Sequence, residues 1–171
     1  HRVQIIIPSI SDFPLPSEGI NIRWPDPPLQ QEARMQDYKI YAALEYCRQN
    51  KLNQIMIDSP RPRFGIIASG KAYLDVRQAL ENLGINAGLA AEIGIRLFKV
   101  GMTWPLEPEG VRQFAEGLEE ILVVEEKRQV IEYQLKEQLY NWRDDVRPRV
   151  VGKFDEKGEW VKPHGDWLLP A

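Results

Sequence analysis

Short apolar runs alternate with stretches of helical periodicity from Gln54 to Val151, and this alternation constrains the fold more than any other feature of the chain. Apolar runs at 54–58, 64–69, 93–100, 120–124 and 149–151 read as strands. The first two are separated by Ser59-Pro60-Arg61-Pro62-Arg63, a segment that can continue neither a helix nor a ladder. Helices are expected over 71–83, 108–118 and 128–142. In the first of these Ala72, Val76, Ala79, Leu80 and Leu83 form the inward stripe, and Gly84 supplies the stop. Pro108 opens the second, where its missing amide would have had no helical partner. The third carries Ile131, Leu135, Leu139 and Trp142 on one face. A chain with this beat buries its strands best as a largely parallel sheet with helices on both faces. The expected class is therefore α/β, with about five strands.

The flanks differ in chemistry. Six of the thirteen prolines fall between Pro8 and Pro28, which makes residues 1–28 an extended linker. Ile10, Phe13, Leu15, Ile20, Ile22 and Trp24 are too apolar for a free tether, so the linker is expected to lie against protein. A helix over 29–50 follows, with one stripe of Met35, Tyr38, Ala42 and Tyr46 and another of Ile40, Ala43, Leu44 and Cys47, so it should pack on two sides. It is grouped with the α/β body as residues 29–154. Residues 155–171 form a turn-rich tail with Trp160 and Trp167, expected to lead to a neighbouring domain. With no initiator Met and a Leu-Leu-Pro-Ala end, the chain reads as a piece of a longer protein.

Composition narrows the function classes. The formal net charge of -3, with both signs interspersed, provides no basic field for a nucleic-acid backbone. No apolar stretch is long enough to span a bilayer, and no segment resembles a secretory signal, so no membrane partner is expected. One cysteine, Cys47, allows neither an internal disulfide nor a thiolate metal cluster and suits a reducing cytoplasmic compartment. On its apolar stripe it reads as a buried structural thiol. The two histidines, His1 and His164, stand at opposite ends, which leaves little material for a histidine triad or a metal site.

Three segments invite a chemical reading. Gly65-Ile-Ile-Ala-Ser-Gly70-Lys71-Ala72 has phosphate-loop spacing up to its last position. Its Ile66, Ile67 and Ala68 belong to a strand and cannot curl into a nest of amides, and Ala72 lacks the hydroxyl that binds magnesium. What survives is the helix start at Ser69, Gly70 and Lys71, where free amides and a cation can hold one anionic group; the alternative is an ordinary cap. Glu125 and Glu126 follow a strand and suggest paired carboxylates, but Lys127 and Arg128 neutralise them, so an interface loop is the stronger reading. With Trp104, these four charges are the candidate interface. Since functional loops of parallel sheets lie at the carboxyl ends of strands, segments 69–71, 101–106 and 125–128 should share one edge. No catalytic residue and no metal ligand can be named.

The segments NIRWPDPPLQQEARMQDYK (21–39), RFGIIASGKAYLDVRQALENLGI (63–85), KVGMTWPLEPEG (99–110) and ILVVEEKRQVIEYQLKEQLYNWRDDVRPRVVGKFDE (121–156) closely resemble the long fused indolepyruvate ferredoxin oxidoreductases, within the 2-oxoacid:ferredoxin oxidoreductases. The resemblance covers nearly the whole chain, as a small internal part of such an enzyme. It implies a transketolase C-terminal-like domain: a three-layer α/β/α fold with one antiparallel strand, for which residues 54–58 are the candidate. It also implies a parent that decarboxylates a 2-oxoacid oxidatively with thiamine diphosphate and magnesium, passes electrons through 4Fe-4S clusters to ferredoxin, and forms an acyl-coenzyme A. The cluster cysteines and the magnesium-holding acidic motif of the family have no counterpart here.

The expected role is thus that of a structural and interaction domain, whose partners are the other domains of the parent. A second reading is a module that binds an anion or a coenzyme A phosphate at Ser69–Lys71. A third, a free-standing hydrolase or transferase, requires a nucleophile paired with a base, which the sequence does not offer.

Overall fold

The computed structural model describes residues 4–8, 15–21, 26–155 and 157–159. The chain divides into two compact units, His1–Leu52 and Asn53–Ala171. The helix-bearing segment, which the sequence reading grouped with the α/β body, lies in the first.

In the first unit a helical stretch begins at Pro28, where proline fits the first turn. It runs as α1 (Pro28–Arg34), a widened π-helical turn (Met35–Lys39) and α2 (Ile40–Gln49). Of the two expected stripes Cys47 alone is buried; Tyr38, Ile40, Ala42, Ala43, Leu44 and Tyr46 are half-buried, and Met35 is exposed. Asn50 pairs its carboxamide with the backbone N–H and C=O of Ile6, each at 2.8 Å. Within the proline-rich stretch Arg34 meets Asp26 at 3.2 Å and donates to the Asn21 carbonyl at 2.6 Å. Leu15 is exposed and Ile20 half-buried; Ile10, Phe13, Ile22 and Trp24 lie outside the described residues, as do His1, Trp160, His164 and Trp167.

The second unit holds the sheet. Its strands are β1 (Gln54–Ile57), β2 (Phe64–Ser69), β3 (Ile95–Val100), β4 (Glu120–Val124) and β5 (Arg149–Val151), ordered β1-β3-β2-β4-β5. β2, β3, β4 and β5 are parallel, and β1 pairs antiparallel with β3. The expected antiparallel strand is therefore the one observed, ending one residue early and bulged between Ile55 and Ile57. The central strand β2 is buried from Gly65 to Ala68, as a strand covered on both faces must be.

Helices α3 (Gly70–Asn82) and α4 (Ala87–Ile93) cover one face, and α5 (Pro108–Ala115) and α6 (Ile131–Leu139) the other. The result is the expected three-layer α/β/α arrangement. One core joins Ile66, Ala68, Ala72, Tyr73, Val76, Leu80 and Leu97. The other joins Ile67, Phe98, Val111, Phe114, Ile121, Ile131, Leu135 and Leu139, with Phe98 and Phe114 stacked at 5.0 Å between centroids. Gly65 permits the second core: a Cβ there would meet Leu118 Cδ1 at 2.4 Å and the Phe114 ring at 2.8 Å.

Three sequence expectations need correction. The α3 stripe is rotated, since Tyr73 is buried while Ala79 and Leu83 are exposed. Residues 87–93 form a helix, so β3 starts at Ile95 rather than at 93. Asn86 caps that helix by accepting from Leu89 N–H at 3.0 Å, and Gly94 ends it at φ 90°. The third expected helix is shorter than 128–142, for a reason that lies in the site.

Candidate functional site

The register of the parallel strands sets Ser69 beside Val100 and Ala68 beside Val124. The segments that follow β2, β3 and β4 therefore leave the sheet along one edge, and the three candidate loops start side by side.

At the first loop Ser69 is extended and its hydroxyl makes no capping bond. Gly70 has φ 52° with open space where a Cβ would stand, so glycine serves here for its left-handed conformation. Lys71 Nζ meets both oxygens of Asp75, at 2.9 and 2.6 Å, one helical turn on. That hydrogen bond and its Coulomb attraction raise the ammonium pKa, with a smaller pull from Glu126 across the edge. The one cation of the expected anion site is thus already matched by a carboxylate of its own helix.

The second loop, residues 101–106, is held at both ends by side chains. Asn53 Oδ1 accepts from the Gly101 and Met102 amides at 2.9 and 3.1 Å. Gln134 accepts from Leu106 N–H at 2.8 Å and donates to the Thr103 carbonyl at 2.9 Å, and Gln138 donates to the Leu106 carbonyl at 2.9 Å. Leu106 itself is buried. Between these clamps Trp104 is 58% exposed. It does not belong to the core of its own unit, the alternative a lone tryptophan always presents.

In the third loop the four charges separate. Glu126, Lys127 and Arg128 are exposed, whereas Glu125 is 7% exposed and its carboxylate turns inward. It accepts from the amides of Val130 and Ile131 at 3.0 and 2.7 Å through one oxygen, and from Glu132 at 3.0 Å through the other. These are first-turn N–H groups that a helix cannot satisfy internally. This capture starts α6 at Ile131 and removes Glu125 from the solvent-facing set. Glu125 and Glu126 consequently do not form a facing pair of carboxylates.

A family model of the indolepyruvate ferredoxin oxidoreductase middle domain matches residues 53–171. The chain belongs to this family. It is 30% identical over 146 residues to the indolepyruvate oxidoreductase subunit IorA of Methanothermobacter thermautotrophicus, covering 82% of this chain and 22% of that protein. The IorA subunit of Pyrococcus abyssi is 33% identical over 108 residues, 63% of this chain and 13% of the relative. The chain thus spans less than a quarter of these relatives. Among solved structures, a 2-oxoglutarate:ferredoxin oxidoreductase from Magnetococcus marinus, with 2-oxoglutarate, coenzyme A and succinyl-CoA bound, matches with a TM-score of 0.44 at 16% identity, over 70% of this chain and 20% of its own.

The family match begins at Asn53, the residue at which the second unit begins. Within the middle domain, the side chains that shape the loop edge are ones that sequence reasoning passed over: Asn53, Gln134 and Gln138. Gln134 and Gln138 are four residues apart on α6, beside the Ile131, Leu135, Leu139 stripe. Polar residues bordering a buried stripe were the available signal. A groove of about 770 Å³ lined by Met56, Tyr73, Arg77, Glu81 and Ile85 lies beside β1 and α3, and none of the three loop segments lines it. No described helix is long and apolar enough to cross a membrane.

Proposed function

We propose that this middle domain is a structural and interaction domain of a cytoplasmic indolepyruvate, or related 2-oxoacid, ferredoxin oxidoreductase. Its loop edge docks against other domains of the longer enzyme and helps to shape substrate access. The observation that carries this reading is Trp104: a large aromatic, 58% exposed, in a loop clamped from both sides and on the same edge of the sheet as the loop that exposes Glu126, Lys127 and Arg128. Aromatic and arginine side chains on a pre-organised surface are the usual anchors of an interface, because little ordering entropy is lost on contact.

The parent reaction on this reading is oxidative decarboxylation of a 2-oxoacid to an acyl-coenzyme A, with electrons delivered to ferredoxin. The residues present do not fit the implied prosthetic groups. A 4Fe-4S cluster needs four thiolates and the chain has one cysteine, buried in α2. Among the described residues no group of three or more His, Cys, Asp or Glu side chains is placed to hold a metal ion such as the magnesium of thiamine diphosphate. The chemistry is therefore assigned to other parts of the longer enzyme, and no step of it is routed through these residues. The reading of Ser69, Gly70 and Lys71 as a site for an anion or a coenzyme A phosphate is the weaker one, because Lys71 is engaged by Asp75.

The test is substitution at the edge. Trp104→Ala and Arg128→Glu in the full-length enzyme should each lower 2-oxoacid-dependent ferredoxin reduction by about tenfold, the effect of losing a central anchor. In the 171-residue chain the same changes should move the melting temperature by less than about 2 °C, as surface substitutions do. A several-degree loss in the chain with Trp104→Ala, together with full activity of the Arg128→Glu enzyme, would contradict the proposal.

A further inference from the structure

We infer that Gln134 is a positioning residue that joins the 101–106 and 125–130 loops into one platform and so sets Trp104 for docking. This deepens, and rests on, the reading of the loop edge as an interface. Gln134 is 8% exposed. Oε1 accepts from Leu106 N–H at 2.8 Å, while Nε2 donates both to the Thr103 carbonyl at 2.9 Å and to the Val130 carbonyl at 2.6 Å. The Thr103 and Leu106 bonds bracket Trp104. The Val130 bond ties the same amide to the segment whose N–H groups Glu125 gathers. One carboxamide therefore fixes the approach and the exit of the tryptophan and references both to the start of α6.

The packing of α6 does not require this arrangement. Ile131, Leu135 and Leu139 bury the helix against the sheet from a neighbouring face, and a leucine at position 134 would fill similar volume. What only a carboxamide supplies is the simultaneous donor and acceptor to a loop that has no ladder of its own. Holding an exposed aromatic in one conformation removes the ordering cost that docking would otherwise incur. Gln134 acts through Trp104 and touches no reacting group.

The experiment uses Gln134→Leu in two measurements. By hydrogen exchange of the 171-residue chain, the Leu106 amide should open at least about tenfold more often, given three lost hydrogen bonds, while the α6 amides from Leu135 to Leu139 keep their protection. In the full-length enzyme Gln134→Leu should lower ferredoxin reduction severalfold, and combined with Trp104→Ala it should reduce the rate no further than Trp104→Ala alone. Non-additivity of that kind is the mark of a residue working through its partner, which a merely structural residue would not give. If Gln134→Leu fails to fold, Gln134→Met replaces it in both measurements, since it keeps the length of the side chain while losing the acceptor for Leu106 and both donations. Unchanged exchange at Leu106, or rate effects that multiply, would overturn the inference. A full rate with Gln134→Leu where Trp104→Ala is impaired overturns it but leaves the interface reading standing; full rates with both variants overturn the interface reading itself.

Discussion

Arg96→Ala is expected to destabilise the Asn53–Ala171 unit by about 3 kcal/mol, the cost of leaving one buried and two partly buried carbonyls without their charged donor. Arg96 sits in β3 with a side chain only 10% exposed, on the face shared with Phe98 and Val100. Its Nη1 donates to the carbonyls of Gln113, Phe114 and Glu116 at 3.3, 2.9 and 2.9 Å, so it terminates α5 where helical partners run out. A cation at a helix C-terminus is favoured by the helix dipole as well. Nε meets Asp58 at 2.6 Å, but that carboxylate is 55% exposed, and an ion pair so wetted contributes at most about 1 kcal/mol. Asp58→Ala should accordingly cost little. Urea denaturation of the two variants separates the contributions. Equal losses for both would mean that the ion pair, not the capped carbonyls, carries the stability.

Glu125→Ala is expected to cost about 2–3 kcal/mol, since three first-turn amides lose a buried charged acceptor. Glu125→Gln should lose about half as much, because a carboxamide retains one acceptor oxygen. Exchange of the Val130, Ile131 and Glu132 amides should accelerate well beyond the global change, and the exposed Lys127 and Arg128 should lose their fixed presentation with it. A Glu125→Ala chain that melts like the wild type would show that α6 is held by its packing alone.

The sequence made the sheet legible because strand and helix periods differ and the alternation survives local noise. β2, β4 and β5 run over the residues expected of them, and the stripe on α6 is the observed one. The seven-residue α4 was hidden, because less than two turns of Ala-Gly-Leu-Ala-Ala carry no measurable period, although Asn86 and Gly94 bracket it with good capping residues. The α3 stripe was misjudged by a fraction of a turn: Tyr73 has a hydroxyl that accepts from Arg77 and a ring that packs inward beneath Lys99.

The candidate edge was legible only in outline. That three loops share one side of the sheet follows from strand direction, and the register places them there. Which of the four charges at 125–128 faces inward does not follow from composition, because a carboxylate that gathers amides six and seven residues on looks, in sequence, like its neighbours. Gln134 and Asn53 were invisible for the same reason. Their partners in the 101–106 loop stand 28 to 49 residues away, and only the fold makes those separations local.

The claim that this edge is an interface is tested most directly at Trp104, by hydroxyl-radical labelling of the 171-residue chain and of the full-length enzyme, with oxidation read residue by residue by mass spectrometry. Trp104 should label rapidly in the chain, as its exposure requires, and severalfold more slowly in the full-length enzyme, with Leu83, exposed at the end of α3 remote from the loop edge, serving as the unprotected reference. Equal labelling of Trp104 in both would contradict the account.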